Sequence, residues 1–357
     1  MRLYFLGGVL AILLVLPETI FSQTVCDTAM TCDAVCCCNT GVAAPAGVML
    51  SHVNGEKEWM LSYRFMNSAA EGLLSGSAKV DNNSVFNTYL MLPSQSQMNM
   101  HMFMVMYGVS SKLTLMTMFN YNDMAMEMAM FSADQEHNHS ADPSKNNVMQ
   151  TSGIGDIKVQ ALYNVLTSKK QQLIVSMGAS LPVGSIVLKG ISNDVAYANS
   201  RLPYAMQLGS GTVDLLPGLS YLYYTNKWAA GSQITGAVRT YNNSVGYHLG
   251  NEISVQGWMA YKWLKFLSTS VRAEFCAANK ISGKDALLYD HYEPSANPDN
   301  YGGQRASVYI GSAWQINSGV FKNNSLSIEY GLPFYQNVNG IQSKITSNLY
   351  ASWAFTF

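Results

Sequence analysis

Charge is scarce in this chain. Asp, Glu, Lys and Arg make up 12% of its 357 residues, about half the roughly 25% of an ordinary soluble domain. The formal net charge is −1, which removes any global pull toward nucleic acid or acidic lipid. There is no basic stripe and no Cys/His finger spacing, so no nucleic-acid partner is expected. Long apolar runs are missing too. After the N-terminus no stretch approaches 18 apolar residues, and a spanning helix needs about 20. A membrane form of this chain therefore crosses as strands. Enzyme signatures are absent: there is no Gly-x-Ser-x-Gly elbow and no phosphate loop. The sequence calls for no catalytic residue and no cofactor.

What is present begins with a targeting signal. Arg2 precedes an apolar run from Leu3 to Leu16, which Pro17 ends. That run is too short to span and reads as the core of a secretory signal peptide, with cleavage expected near Ser22–Gln23. The expected organisation is a signal peptide over 1–22, a Cys-rich periplasmic tail and linker over 23–57, and a β-barrel over 58–357. Cys26, Cys32, Cys36, Cys37 and Cys38 crowd the tail, and Cys276 stands alone. A secreted compartment oxidises such thiols into disulfides; the competing reading is a thiolate site for a soft metal. The Gly41–Gly47 stretch reads as a linker.

From Trp59 onward the hydrophobic period is two. In the last segment Ile345, Leu349, Ala351, Trp353, Phe355 and Phe357 share one parity, while Thr346, Asn348, Tyr350, Ser352 and Thr356 share the other. The same alternation recurs from Leu113, Ile157, Leu173, Val213, Ile234, Ile253, Leu267, Val308 and Leu326. With Trp59–Met66 and Met98–Tyr107 this predicts an all-β, transmembrane, antiparallel up-and-down barrel of about twelve strands of about ten residues each. Short connections such as Gly108–Lys112 alternate with longer polar ones at 67–97, 131–151, 182–208, 240–250, 278–303 and 333–342. Short periplasmic turns and long external loops make that pattern. An even count puts both termini on the periplasmic side. The expected location is the bacterial outer membrane, with its lipid and the barrel-assembly machinery as partners. Oligomeric state is left open.

Methionine is the most unusual residue, with 21 copies. Met98, Met100, Met102, Met104 and Met106 share one parity, and Met116, Met118, Met124, Met126, Met128 and Met130 share one on the next segment. Met60, Arg64 and Met66 lie on one face of the first strand. The register turns these toward the lumen. Two explanations stand: an adaptable lining for varied apolar solutes, or a path of thioether ligands for a soft metal. His101, His137 and His139 lie in or near these segments as further candidate ligands. Inward charges form a second set: Arg64, Asp156, Lys158, Arg239, Lys262, Arg272, Glu274, Glu329 and Lys344. They either pair across the lumen or define a polar pore. The loop 202–218, with Pro203 and Met206, is poor strand material and is expected to fold inward as a constriction.

Ordered pieces of the chain resemble a known family. They include Glu58-Trp59-Met60-Leu61-Ser62-Tyr63-Arg64-Phe65-Met66, Met98-Asn99-Met100-His101-Met102, Lys112-Leu113-Thr114-Leu115-Met116 and Ser152-Gly153-Ile154-Gly155-Asp156. Leu202-Pro203-Tyr204-Ala205-Met206-Gln207-Leu208-Gly209-Ser210-Gly211-Thr212, Asn297-Pro298-Asp299-Asn300-Tyr301-Gly302-Gly303 and Gly331-Leu332-Pro333-Phe334-Tyr335-Gln336 continue the order. Over roughly 58–357 the chain resembles outer-membrane transporters of the phenol-degradation MetA-pathway type. The resemblance implies a barrel and a transport role, without a substrate. The sequence-based expectation is a channel for a small solute, hydrophobic or aromatic. The alternatives are soft-metal handling through a Met-lined lumen, and a structural or adhesive barrel with a closed lumen.

Overall fold

The computed structural model describes residues 42–130, 147–168, 170–190, 200–316 and 318–357. The cysteines of the tail, His137 and His139 lie outside these residues. The wall is one antiparallel sheet: β1 (Trp59–Gly76), β2 (Met91–Gly108), β3 (Leu113–Met130), β4 (Ile157–Thr167), β5 (Gln171–Leu181), β6 (Gly218–Tyr224), β7 (Trp228–Ala237), β8 (Glu252–Lys262), β9 (Leu267–Ala278), β10 (Gly303–Ile316) and β11 (Asn324–Thr356). Each pairs with its predecessor, and β11 also pairs with β1, so the sheet closes on itself.

The span β11 is 33 residues long. Its first part pairs with β10 up to Val338, and its second part pairs with β1 from Val338 to Thr356. It therefore doubles back, at Gly340, whose φ of 58° suits a residue without a Cβ. Counting both arms, the described residues pass the wall twelve times, as the alternation predicts. The expected long loop at 333–342 is this hairpin instead. At the closing seam Trp59 and Phe357 exchange two main-chain hydrogen bonds of 2.9 Å each.

The period-two pattern becomes a two-sided wall because successive Cβ atoms of a strand point to opposite faces. On β3, residues Thr114, Met116, Met118, Asn120, Asn122 and Met124 are buried, while Leu115, Phe119 and Tyr121 are exposed on the outer face. Phe103 is 53% exposed beside Met104 at 6%. The exposed set forms an apolar outer belt. Aromatic pairs border it at the short-turn end: Trp59–Tyr107, Trp228–Tyr261 and Tyr261–Trp263, each with centroids 4.6 Å apart. Such amphipathic rings favour the membrane interface.

Three neighbouring strands outrun the expected ten residues by eight. β1, β2 and β3 have 18 residues each, so what reads as loop at 67–97 is mostly paired strand. A strand of that length rises about 60 Å, and a tilted strand needs only about 9–11 residues to cross the hydrocarbon. The excess, Asn67–Gly76, shows no alternation to read. Short strands Ala78–Val80, Asn147–Ile154 and Asp214–Leu215 extend the same sheet, and Tyr247–His248 pairs with Ser282–Gly283 among the loops.

Candidate functional site

The lumen is organised by two methionine clusters with a polar row between them. Register sets this out residue by residue. Met60 pairs with Met106, and Met106 with Met116. Met104 pairs with Met118, and further up Met98 pairs with Met124. Between these rows, Arg64 pairs with Met102 and Met102 with Asn120, while Met66 pairs with Met100 and Met100 with Asn122. The lower cluster holds Met60, Met104, Met106 and Met116 with Leu162, Ile174, Leu222 and Trp258 from the far wall. The upper cluster holds Met91, Met124, Met126, Met128 and Met149. Met66 and Met100 are half-buried between them, and Met118 is 2% exposed.

The lower end is filled by the chain itself. Where the sequence reads a linker at Gly41–Gly47, Val42, Val48, Leu50 and Val53 join the lower methionine cluster. This segment, 42–57, enters at the short-turn end. Lys57 N–H donates to the Gly108 carbonyl at 2.7 Å, and Asn54 N–H to Thr114 Oγ1 at 2.8 Å. Deeper, Arg64 donates to the Val48 carbonyl at 3.1 Å, Gln233 donates to the Met49 carbonyl, and Gly47 N–H donates to Glu329 at 2.7 Å. A Cβ on Gly47 would collide with the Arg272 guanidinium and Glu329, so only glycine permits this approach. The segment acts as a plug whose orphan main-chain groups are satisfied by inward polar side chains. Its apolar residues Val42, Val48, Leu50 and Val53 carry no period-two signal that would mark them as barrel partners.

Opposite the lower methionines the lumen is charged, and Arg272 and Arg239 are paired there. Arg272 donates two parallel bonds to Glu329, at 2.9 and 3.0 Å, and one to Gln256 at 2.9 Å. Its guanidinium carbon lies 3.8 Å from the Tyr309 ring centroid, and Glu274 is 3.5 Å away. Arg239 donates to Asp214 at 3.1 Å. Asp156 accepts from Gly184 N–H and Ser210 N–H at 2.9 and 2.8 Å, so it ties the wall to the loop above.

The upper end is capped. Leu202, Met206 and Leu208 pack onto the upper methionines, and Pro203 is buried with them. The loop turns through a short 3-10 turn at Tyr204–Met206. Tyr204 and Tyr301 hold it to the loop 279–302. The Tyr204 hydroxyl accepts from Asp285 N–H at 3.0 Å, the Tyr301 hydroxyl accepts from Ala205 N–H at 3.0 Å and donates to the Ser295 carbonyl at 2.6 Å. Arg201 adds an ion pair with Asp285 at 3.6 Å. Within this cap Glu293 is buried, and burial pushes its carboxyl up to about 7.

Beneath the cap lies a cavity of about 280 Å³, lined by Met98, Met124, Met126, Met206, Tyr301 and Ile345 among others. The space has room for a small ring compound, since about 150 Å³ holds benzene, and Ser68, Ser96, Asn300, Gln342 and Ser343 are among its polar lining.

His101 does not join the methionines. It sits on the outer face, with Nδ1 2.7 Å from the Tyr63 hydroxyl and its ring 5.2 Å from that of Phe65. Parity with Phe103 is the signal that separates it from the lumen. Cys276 is a half-buried thiol that donates to Glu252 at 3.2 Å. Sequence reading also passes over Trp258 and His52, the latter because it lies before the first strand.

No protein-family model matches the chain, and no curated protein does. Solved structures do match. An outer membrane channel from Pseudomonas putida F1 aligns over 88% of this chain and 100% of its own, at 14% identity and a TM-score of 0.56. A FadL homologue from Pseudomonas aeruginosa covers 84% of this chain and 90% of its own, at 8% identity and a TM-score of 0.43. The chain shares the closed-barrel fold of the Pseudomonas putida channel.

Proposed function

We propose that this chain is a bacterial outer-membrane channel for small apolar or aromatic compounds. The observation that carries the reading is the methionine-lined cavity under the cap. Thioether side chains adapt to varied apolar shapes, and pockets of this kind combine an apolar lining with a few polar groups. The motif resemblance to transporters of the phenol-degradation MetA-pathway type agrees with it. Solute would enter through the cap, rest against Met98, Met124, Met126 and Met206, and leave once the plug yields. Arg64, Met100, Met102 and Met66 form the row between the clusters, with Arg272 and Glu274 on the facing wall. Outer-membrane lipid would cover the apolar belt, and Phe357 would serve as the terminal aromatic that the assembly machinery reads.

Solute uptake into proteoliposomes tests this. Wild type should admit toluene-sized aromatics faster than sugars of similar mass. Met126→Trp should fill the cavity and cut aromatic uptake at least fivefold; unchanged uptake would remove the cavity from the path. Deleting Leu202–Gly209 should raise single-channel conductance in planar bilayers. A second reading, a structural barrel with a closed lumen, is favoured by the plug and the paired charges. It expects no solute flux from wild type at any pH.

A further inference from the structure

The plug and the wall meet at a group of soft donors away from the cavity under the cap. His52 Nε2 lies 3.2 Å from Met60 Sδ. Met60, Met106 and Met116 stand side by side on three neighbouring strands. All three point into the lumen, are at most 7% exposed and share one cluster with Met104. Opposed residues on adjacent strands have Cβ atoms about 4.5–5.5 Å apart, within reach of flexible thioethers. One imidazole nitrogen thus meets one sulfur where the plug enters, with two further thioethers on the next two strands.

We propose that His52, Met60, Met106 and Met116 form a binding site for a soft monovalent cation, Cu(I) or Ag(I), that fastens the plug to the wall. Thioether selects soft metals, and imidazole completes such a site. A nitrogen and a sulfur bound to one tetrahedral metal, at bond lengths of about 2.1 and 2.3 Å, stand about 3.6 Å apart. The His52–Met60 contact has to open by only about 0.4 Å from its 3.2 Å to admit the ion at those lengths. Arg64 is the cation nearest in charge effect, and its repulsion acts twice as strongly on a dication as on a monocation. The site goes beyond the channel reading, since it lies at the plug and not in the cavity.

Silver titration of the full chain in detergent micelles tests it. Thiols are first alkylated with iodoacetamide, so that the cysteines take no metal, and chloride is replaced by nitrate. Calorimetry should show one Ag(I) per chain. His52→Leu and Met60→Leu should each weaken binding at least tenfold, and Met177→Leu, on the outer face, should leave it unchanged. X-ray absorption of the Cu(I)-loaded protein should show one nitrogen and two or three sulfurs. No stoichiometric binding, equal binding by both variants, or a shell without sulfur would overturn the proposal. Should a variant lose the heat-modifiable gel shift of a folded barrel, the absorption spectrum of wild type decides. Failure here leaves aromatic uptake untouched, so the two readings fall separately.

Discussion

Arg272 and Glu329 meet in a two-bond pair inside the barrel, and the free edge of that pair holds the backbone of Gly47. The wall's most buried charge is thus also the plug's deepest anchor. Arg272 is 1% exposed and Glu329 likewise. Removing one partner of a buried pair leaves the other uncompensated, at a cost of about 3–5 kcal/mol. Glu329→Ala should lower barrel stability by about that amount, read as the urea midpoint of tryptophan fluorescence in micelles. The double variant Arg272→Met, Glu329→Leu should recover most of the loss, because an apolar pair of similar size removes the stranded charge. A single variant as stable as wild type would show that water reaches this pair.

Gly47→Ala isolates the plug from the wall. The added Cβ has no room beside Arg272 and Glu329, while no barrel residue changes. The plug should be dislodged, and mean conductance in planar bilayers should rise severalfold with the unfolding midpoint nearly constant. Deleting residues 42–56 should give the same open state. Conductance equal to wild type in both would mean that the plug does not occlude.

The cap should respond to pH through Glu293. Its carboxyl ordinarily loses its proton near 4.5 but in the docked cap holds it to about 7. Docking therefore gains a contribution fully present below pH 4.5 and lost as pH rises through about 7. Hydrogen exchange over residues 285–301, corrected for intrinsic rate, should quicken from pH 5 to pH 8. Glu293→Gln, which stays neutral, should flatten that trend. A slope that survives the substitution would assign it to another group.

The seam between Trp59 and Phe357 carries its own prediction. Deleting Phe357 removes two main-chain bonds of 2.9 Å and the ring stacked on Phe355 at 5.5 Å. A net hydrogen bond is worth about 0.5–1.5 kcal/mol, so the barrel should lose about 1–3 kcal/mol from the bonds alone. Urea unfolding of the truncated chain measures it. An unchanged midpoint would mean that the seam is held elsewhere along β1 and β11.

What the sequence by itself determined is the wall. A strand with lipid on one side and a packed lumen on the other must alternate, so Leu115, Phe119 and Tyr121 announce the outer face and Met116, Met118 and Asn120 the inner one. The even number of passes and the closing strand ending on Phe357 follow from the same periodicity. The inward methionines were legible for that reason, and so was the inward turn of the loop around Pro203 and Met206. Only the tertiary structure decided what fills the lumen. Val42, Val48, Leu50 and Val53 lie in a segment without strand or helix period, and their partners Ile174, Leu222 and Trp258 are more than a hundred residues away. The pairing of Arg272 with Glu329, 57 residues apart, is hidden in the same way. Local pattern records which face a residue takes, because that depends on the strand it sits in; contacts across a barrel depend on closure, which no short stretch of sequence contains.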